Sequence, residues 1–292
     1  MMQPPFRQRL ARKLDKTLAG LFFIDQWVIM VARGAQYDSL HWADFRPIVP
    51  EKDRYWGDPF VLQRGQDYHV FVEEKIYATG KGRIACLTLD RDGRLLSHQV
   101  VLERDYHLSY PFLFEQNGET FMIPETAENR TIELYRCVDF PDHWEYVRSL
   151  LTGIYAVDAT LLQYAGRLWL FANVRETGGS SLNTLSLYSA HSLYADTWIP
   201  HPRNPIVRDL RSARPAGRIF TRDGKLIRPS QDSSRRYGYG LRFNQIIKLT
   251  EQEYEETPES RFEPPGGNVL ATHTFNQDGE LTVIDAVLRR RK

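Results

Sequence analysis

Apolar and polar residues alternate in short stretches, and one such arrangement recurs along the chain. Each copy has a short apolar strand, a polar turn that usually contains glycine, and a second apolar strand, which is a strong signal for a β-hairpin. The five copies span Asp58–Glu74, Tyr110–Glu125, Asp158–Asn173, Ala216–Gln231 and, most weakly, His273–Ala286. The pattern therefore predicts five hairpins.

The turns of these hairpins recur at similar intervals. Aligning the turns at Gln66, Gly118, Gly166, Gly224 and Gly279 gives spacings of 52, 48, 58 and 55 residues. A period of roughly 50 residues with several strands per repeat is typical of β-propellers. Further strand patterns at residues 82–89, 131–138, 184–190 and 240–249 supply the outer strands, and helical periodicity is nearly absent after residue 20.

The N-terminal part of the chain completes this prediction. The apolar segment 26–34 precedes the first full repeat, and propellers commonly close their ring with a strand from the far terminus. We therefore expect an all-β, five-bladed β-propeller over residues 26–292, with this N-terminal strand joined to the fifth blade. Residues 1–25 are expected to form a basic helical extension, with contact to a partner or a membrane surface as the less favoured alternative.

Composition and charge narrow the class of protein. The 292 residues are 42% hydrophobic and 26% charged, which is ordinary for a soluble globular domain. A net charge of +1 gives no electrostatic case for a nucleic-acid partner. No stretch approaches the roughly 18 apolar residues that span a bilayer. Cys86 and Cys137 are far apart in the sequence and are expected to be buried free thiols, which fits a cytoplasmic protein.

The ends of the predicted hairpin strands indicate where a site lies. Inner strands of all blades run in the same direction along the axis, so their first residues meet on one face, where the returning second strands also end. The first residues are Asp58, Tyr110, Asp158, Ala216 and Ala271. The last residues are Glu73, Glu125, Asn173, Gln231 and Ala286, with Glu74 and Asp232 one step further. The carboxylates Asp58, Glu73, Glu125 and Asp158 are therefore predicted at one axial mouth.

Grouped carboxylates repel one another, so one or more of them should have a raised pKa. One protonated acid beside one ionised base or nucleophile is what chemistry at a glycosidic bond requires. Flanking loops would add His107, Arg175, Arg214, Arg235, Arg236, Tyr237 and His273. The alternative is that these groups only pair with one another and cap strand ends.

Two loop features and the metal question remain open at this point. The segment Arg228–Gly238 is rich in donors and acceptors, which favours a grip on sugar hydroxyls or a phosphate over a solvated turn. His273 fits a ligand contact, a proton carrier or a core histidine equally well. The histidines show no metal-ligand spacing and no cofactor motif is present, although a carboxylate-rich axis also suits a structural Ca²⁺.

The phrase Tyr55-Trp-Gly-Asp-Pro-Phe60 resembles the first-blade motif of the five-bladed furanosidase-type glycoside hydrolases, the arabinanase, xylosidase and invertase group. That resemblance implies that Asp58 is a general base or nucleophile and that Asp158 is an orienting residue. The group takes its acid from a fourth-blade glutamate, where this chain has Gln231 and Asp232. Glu125 or Glu73 would then serve as the acid.

A longer set of motifs is similar to the N-terminal propeller domain of plant glucosamine inositolphosphorylceramide transferases. The matching segments are His107–Glu115, Met122–Glu125, Asp139–Trp144, Val157–Leu162, Leu168–Ala172, Arg214–Phe220, Arg228–Gly238 and Lys248–Glu256. This resemblance implies a propeller and a link to polysaccharide or glycolipid biosynthesis, with polysaccharide-assembly enzymes as partners. In the plant proteins, sugar transfer is credited to a separate domain.

Two main hypotheses follow. The first is an enzyme that hydrolyses or transfers a glycosidic bond, with Asp58, Glu125 and Asp158 as catalytic residues. Its expected substrate-binding residues are Glu73, Glu74, His107, Tyr110, Arg175, Arg214, Gln231, Asp232, Arg235, Arg236, Tyr237 and His273. The second is a non-catalytic glycan-binding or scaffold module. A protein-interaction hub with a closed axis and an apolar rim is a weaker third option.

Overall fold

The computed structural model describes residues 22–175 and 182–292. Their strands form five sheets, four with four strands and one with five, and these sheets are the blades of a propeller. From Phe23 onwards, the helical elements in the described residues are two short 3₁₀ turns at Trp42–Asp44 and Ala127–Asn129. The prediction of an all-β, five-bladed β-propeller is confirmed. No helix in these two ranges is both long and apolar enough to cross a membrane.

Neighbouring strands within each sheet are antiparallel. The first two strands are β1 (Phe23–Arg33) and β2 (Arg46–Ile48). The first blade contains β3 (Arg54–Arg64), β4 (Asp67–Ile76), β5 (Gly82–Leu89) and β6 (Leu95–Leu102). The second contains β7 (Ser109–Gln116), β8 (Glu119–Thr126), β9 (Thr131–Asp139) and β10 (His143–Thr152).

The third blade contains β11 (Ala156–Tyr164), β12 (Arg167–Val174), β13 (Ser186–Ala190) and β14 (Ile199–Pro200). The fourth contains β15 (Phe220–Arg222), β16 (Lys225–Asp232), β17 (Gly240–Leu249) and β18 (Tyr254–Phe262). The fifth contains β19 (Val269–Ala271), β20 (Phe275–Asp278) and β21 (Leu281–Arg291), together with β1 and β2. The predicted outer strands are β5, β9, β13 and β17.

The N-terminal strand closes the ring, as predicted. β1 pairs antiparallel with β21 from Phe23↔Arg291 to Arg33↔Leu281, so the two ends of the described chain share one blade. The strand is buried from Val28 to Ala32 because it lies inside a five-stranded sheet. It begins at Phe23, three residues before the predicted start, and most of the predicted helical extension at 1–25 lies outside the described residues.

The hairpin turns show that the predicted alignment of the fifth repeat with the other four is wrong by one residue. Two consecutive residues with positive φ form the turns Asn117–Gly118, Ala165–Gly166 and Asp223–Gly224, which is the type I′ geometry that matches strand twist. Gly65 and Gly279 each take the first turn position, with φ of 59° and 53°. Gly279 therefore aligns with Gly65 rather than with Gln66. Because side chains alternate along a strand, this shift changes which residues of the fifth blade face the axis.

Three inner strands carry an unusual residue where they begin. Asp58, Tyr110 and Asp158 have φ of 52°, 42° and 53°. At each of them the pairing register shifts, so the residue lies in a β-bulge. A non-glycine residue in this region costs roughly 1–3 kcal/mol and persists only where its surroundings hold it. Bulges commonly redirect side chains at functional sites. In this protein the same kind of bulge occurs in three blades.

Side chains fill the axis below this level. The Tyr110 hydroxyl lies 2.9 Å from Thr160 Oγ1 and accepts the N–H of Gly217 at 2.8 Å. A Cβ at Gly217 would lie 1.9 Å from the Phe275 carbonyl oxygen, so the close approach requires glycine. Arg218 crosses the axis to the backbone of the first two blades. These contacts therefore close the axis below the level of Asp58 and Asp158.

Candidate functional site

Asp58 joins the first and fifth blades at the mouth. Its Oδ1 accepts a hydrogen bond from Thr274 Oγ1 at 2.9 Å and lies 3.6 Å from His273 Nε2. Its Oδ2 accepts the backbone N–H of Tyr110 at 3.3 Å. Burial raises the pKa of Asp58 to about 7, and the negative charge of Asp158 contributes to this rise. The positive charge of His273 lowers the pKa of Asp58 and so offsets part of it. Asp58 therefore exchanges its proton near neutral pH.

Asp285 organises this junction, although it is not among the residues predicted from the sequence. Its Oδ1 accepts the backbone N–H groups of His273 and Thr274 at 2.8 and 3.1 Å. Its Oδ2 accepts the N–H of Asp58 at 3.1 Å and lies 2.5 Å from His273 Nδ1. Burial lowers the pKa of His273, but the negative charges of Asp285 and Asp58 outweigh this effect and raise the pKa to about 9. At neutral pH His273 is therefore a cation held between two carboxyl groups.

Asp158, Arg214 and Glu125 form the second half of the cluster. Arg214 donates to both carboxylate oxygens of Asp158, from Nε to Oδ2 and from Nη2 to Oδ1 at 3.3 Å. Gln231 Nε2 donates to Asp158 Oδ2 at 3.0 Å, and Arg214 Nη2 lies 4.0 Å from Glu125 Oε2. Burial and the nearby Asp158 raise the pKa of Glu125 well above its ordinary value. Glu125 therefore holds its proton more strongly than an ordinary glutamate.

Several buried polar atoms at this level have no hydrogen-bond partner within the described ranges. They are Glu125 Oε2, Gln231 Oε1, and both Oδ1 and Nδ2 of Asn173. These residues occupy the same position in the second strands of the second, fourth and third blades, so their side chains converge on the axis. Buried polar groups in proteins are nearly always hydrogen-bonded. A cluster of unsatisfied ones marks a place built to take a polar ligand.

Aromatic side chains form the rim beside this cluster. The ring of Tyr237 lies 5.0 Å from the Arg214 guanidinium and 5.4 Å edge-on from the ring of His273. Trp27 stacks on His273 with ring centroids 4.1 Å apart. Tyr237 is 44% exposed and comes from the donor-rich loop identified in the sequence. Such rings present flat apolar faces with a polar edge.

Glu73 and His107 extend the site along the first blade. Glu73 Oε1 accepts the hydroxyl of Tyr55 at 2.8 Å and lies 3.2 Å from His107 Nε2. His107 Nδ1 accepts the N–H of Gly82 at 2.9 Å, which fixes the ring. The negative charge of Glu73 acts on Asp58. Tyr55 joins this group without having been predicted, although it stands in the motif around Asp58.

Two predicted carboxylates point away from the mouth. Glu74 contacts Arg83, His98 and Trp56 on the opposite face of β4. Asp232 accepts from Arg242 Nε at 2.8 Å and from the N–H of Ser234 at 2.9 Å. Each lies one residue beyond a mouth position, and successive strand side chains point to opposite faces. The expectation that they line the mouth is therefore corrected.

Three predicted arginines also lie outside the cluster. The Arg175 guanidinium packs 3.7 Å from the ring of Tyr155, and Arg235 Nη1 donates to the hydroxyl of Tyr239 at 2.8 Å. Arg236 is exposed and shows no contact with the cluster. In the fifth blade, the predicted positions Ala271 and Ala286 are buried apolar residues, and Thr274 and Asp285 stand at the mouth instead.

One group among the described residues has the spacing of metal ligands. Asp58, His273 and Asp285 each offer an atom, and these atoms lie within 4.8 Å of one another. Oxygen and imidazole ligands suit several divalent cations. Because His273 carries a proton at neutral pH, a metal would have to displace it. The two thiols lie elsewhere and are free, with Cys86 buried and Cys137 half-buried.

The fold and the axial site define the architectural class, a five-bladed propeller of the kind found in glycoside hydrolases. The chain is similar to a family 117 glycoside hydrolase from Zobellia galactanivorans, with a TM-score of 0.58 and 9% identity over 90% of both chains. It is also similar to an α-L-arabinofuranosidase from Podospora anserina, with a TM-score of 0.57 and 11% identity over 82% of this chain and 94% of the other. At such identities the likeness shows the fold.

Sequence similarity identifies the family. The chain belongs to the family described as glucosamine inositolphosphorylceramide transferase 1, N-terminal, whose model matches residues 50–264. It is 36% identical over 206 residues to glucosamine inositolphosphorylceramide transferase 1 of Oryza sativa subsp. japonica. The relative of that name in Arabidopsis thaliana is 35% identical over 206 residues. These alignments cover 69% of this chain and 27% of each relative, so the chain spans about a quarter of their length.

Proposed function

We propose that the axial mouth binds a carbohydrate and breaks or transfers a glycosidic bond. Glu125 is the acid, Asp58 is the base or nucleophile, and Asp158 orients the groups around it. The observation that carries this proposal is the pair of carboxyl groups with raised pKa values. The pKa of Glu125 is raised well above its ordinary value and its Oε2 has no hydrogen-bond partner within the described residues, while burial raises the pKa of Asp58 to about 7.

The proposed chemistry follows from these two raised pKa values. Glu125 donates its proton to the glycosidic oxygen as the bond to the anomeric carbon breaks. Ionised Asp58 either attacks that carbon or takes the proton of the attacking hydroxyl, which belongs to water in hydrolysis and to an acceptor in transfer. Arg214 lies 4.0 Å from Glu125 Oε2 and so stabilises the charge that Glu125 acquires.

The ligand class follows from the unsatisfied atoms and the rim. The unpaired oxygens of Glu125 and Gln231 can accept hydrogen bonds, and the amide of Asn173 can both donate and accept them. The hydroxyl groups of a sugar can do both and therefore match all three side chains. Tyr237 offers an aromatic face beside them. The name of the plant relatives, glucosamine inositolphosphorylceramide transferase, supports a sugar or glycolipid ligand.

The test combines ligand binding with turnover. A thermal-shift screen of sugars, sugar nucleotides and phosphorylated sugars is run on wild type, Asp58→Asn and Glu125→Gln, and each binder is then assayed for bond cleavage and transfer. A ligand that raises the melting temperature of wild type and is turned over by it supports the proposal. We expect Arg235→Gln, which lies outside the cluster, to behave as wild type. Full turnover by Asp58→Asn on every substrate contradicts the proposal.

A second candidate function is a non-catalytic glycan-binding or scaffold module that serves polysaccharide- or glycolipid-assembly enzymes. It is favoured by the fourth blade, where Gln231 replaces an acid and joins Arg214 in holding Asp158 in fixed hydrogen bonds. A binding module predicts a ligand that stabilises wild type and is bound more weakly by Asp58→Asn. It predicts no turnover of that ligand by either protein.

A further inference from the structure

A cavity of about 350 Å³ lies at the other end of the axis from the carboxylates. It opens between the fourth and fifth blades near their hairpin turns. Its apolar wall consists of Tyr37, Phe220 and Phe275, and its polar lining includes two arginines, two uncharged side chains and one carboxylate: Arg218, Arg222, Thr221, Gln277 and Asp278. The volume is at the lower end of the range for small-molecule sites. The packing around Tyr110 and Arg218 separates this cavity from the mouth described above.

Arg218 reaches this cavity as a cation without a counter-ion. Its Nε donates to the carbonyl oxygen of Leu113 at 3.1 Å, and its Nη2 donates to that of Val61 at 2.7 Å. A guanidinium has five N–H donors, and the described residues provide acceptors for two hydrogen bonds. Within the described ranges, no carboxylate lies at ion-pair distance from Arg218. The remaining donors are therefore available to a ligand.

The two nearest negative charges are Asp278, which lines the cavity, and Glu115, and both are engaged in other contacts. Asp278 accepts the N–H groups of Gln63 and Gly279 at 2.7 and 3.0 Å, and Glu115 pairs with Arg64. Burial lowers the pKa of Arg218, and these two carboxylates oppose that effect without overcoming it. Arg218 is half-buried, and a cation that is partly removed from water gains from a partner of opposite charge. An anion in the cavity would supply the missing partner.

We propose that this cavity binds an oxyanion carried on a small organic molecule, with Arg218 as its principal ligand. Phosphate and carboxylate groups both match the planar fork of guanidinium donors. Phe220 and Phe275 would contact the apolar part of the molecule, and Gln277 would bind its polar groups. The site is independent of the axial carboxylates and of the reaction proposed for them.

Thr221 offers a test that leaves the hydrogen bonds of Arg218 intact. It is exposed on the short strand β15 and lines the same cavity. Thr221→Glu places a carboxylate there, whereas Thr221→Gln has a similar size without the charge. Binding of inorganic phosphate, acetate and glucose 6-phosphate is measured by isothermal titration calorimetry at low ionic strength. We expect Thr221→Glu to weaken binding at least about tenfold and Thr221→Gln to stay within about twofold of wild type.

Comparison of the three anions shows whether the ligand carries a phosphate or a carboxylate group. Tighter binding of glucose 6-phosphate than of phosphate assigns a phosphorylated ligand, whereas tighter binding of acetate assigns a carboxylate. Asp58→Asn should bind the same anion as wild type, so failure of the axial proposal does not affect this result. Binding that is equal in the Thr221→Glu and Thr221→Gln variants, or no binding of any of the three anions to wild type, overturns the proposal.

Discussion

Two glutamates in adjacent blades occupy similar depths and have opposite electrostatics. Glu74 has a wholly buried side chain that contacts Arg83 Nη2 at 2.7 Å, His98 Nε2 at 2.8 Å and Trp56 Nε1 at 3.0 Å. Burial opposes its charge, yet these hydrogen bonds hold the pKa of Glu74 well below its usual range. Every position around this carboxylate is taken by a protein group.

Glu125 is the contrasting case. Its side chain is 11% exposed, its nearest cation is 4.0 Å away, and that cation already binds Asp158. The pKa of Glu125 is raised, and its Oε2 has no partner within the described residues. The comparison shows that pairing, rather than burial, separates a structural carboxylate from an available acid.

The largest expected effect is on turnover. Glu125→Gln removes the proton donor and keeps the shape, so we expect a loss of about 10²–10⁴-fold in kcat on the substrate identified by the screen. Because Glu125 forms few hydrogen bonds, the free energy of unfolding should change by less than about 1 kcal/mol. Steady-state kinetics and urea unfolding measure the two quantities. Unchanged kcat would remove Glu125 from the proposed mechanism.

The reverse pattern is expected for Glu74. Glu74→Gln leaves Arg83 and His98 without their carboxylate, and breaking a buried ion pair typically costs about 3–5 kcal/mol. Glu119→Gln is the matched control, since Glu119 pairs with Arg136 at the surface, where such pairs contribute about 0–1 kcal/mol. Urea unfolding of both variants decides the point. If Glu74→Gln is as stable as the control, the distinction between the two glutamates fails.

The pH dependence of stability should differ in sign between the two regions. The pKa of Asp58 is raised from 3.8 to about 7, so the folded state binds more protons and loses stability as the pH rises from about 4 to 7, by at most about 1.4 kcal/mol per unit. The pKa of Glu74 is lowered, so its contribution is lost as the pH falls below 4.5. Urea unfolding at pH values from 3 to 8 gives the free energy of unfolding of each protein. Above pH 4, this free energy should decline less steeply with pH in Asp58→Asn than in wild type. An identical decline in both proteins would contradict the raised pKa.

The smallest effect is expected at the rim. Tyr237→Ala removes an exposed ring that contacts Arg214 and His273, and we expect ligand affinity to fall about three- to tenfold. The melting temperature of the free protein should change little, because the side chain is 44% exposed. Titration calorimetry with Tyr237→Phe as the control separates the ring from its hydroxyl. Equal affinity in all three proteins would place the ligand away from this loop.

Most of the fold could be predicted because its signals are local. Glycine-containing turns mark each hairpin, and the apolar strand before the first repeat identifies β1 as the closing strand. The polar starts of the inner strands likewise located Asp58 and Asp158. Their left-handed backbone carries no comparable signal, because the bulges at these residues arise from packing between blades.

The errors in the second strands of the hairpins have a single geometric origin. Side chains alternate along a strand, so an offset of one residue moves a group to the other face. Glu74 and Asp232 follow mouth positions by one residue and point away. The fifth turn begins at Gly279, and the corrected register brings Asp285 to the axis, where the other hairpins have Phe71, Ile123, Phe171 and Pro229. The sequence did contain a signal for Asp285, because the other repeats have apolar residues at its position.

The most direct test of the central claim is the protonation state of Glu125. The protein is labelled with ¹³C at the glutamate carboxyl carbons, and its signals are followed by NMR from pH 4 to 8, with Glu125→Gln identifying the resonance. The account predicts that this carboxyl ionises at a clearly higher pH than an exposed glutamate, while that of Glu74 ionises at a lower pH. A Glu125 signal that ionises at the same pH as that of an exposed glutamate would contradict it, and the axial mouth would then lack its proposed acid.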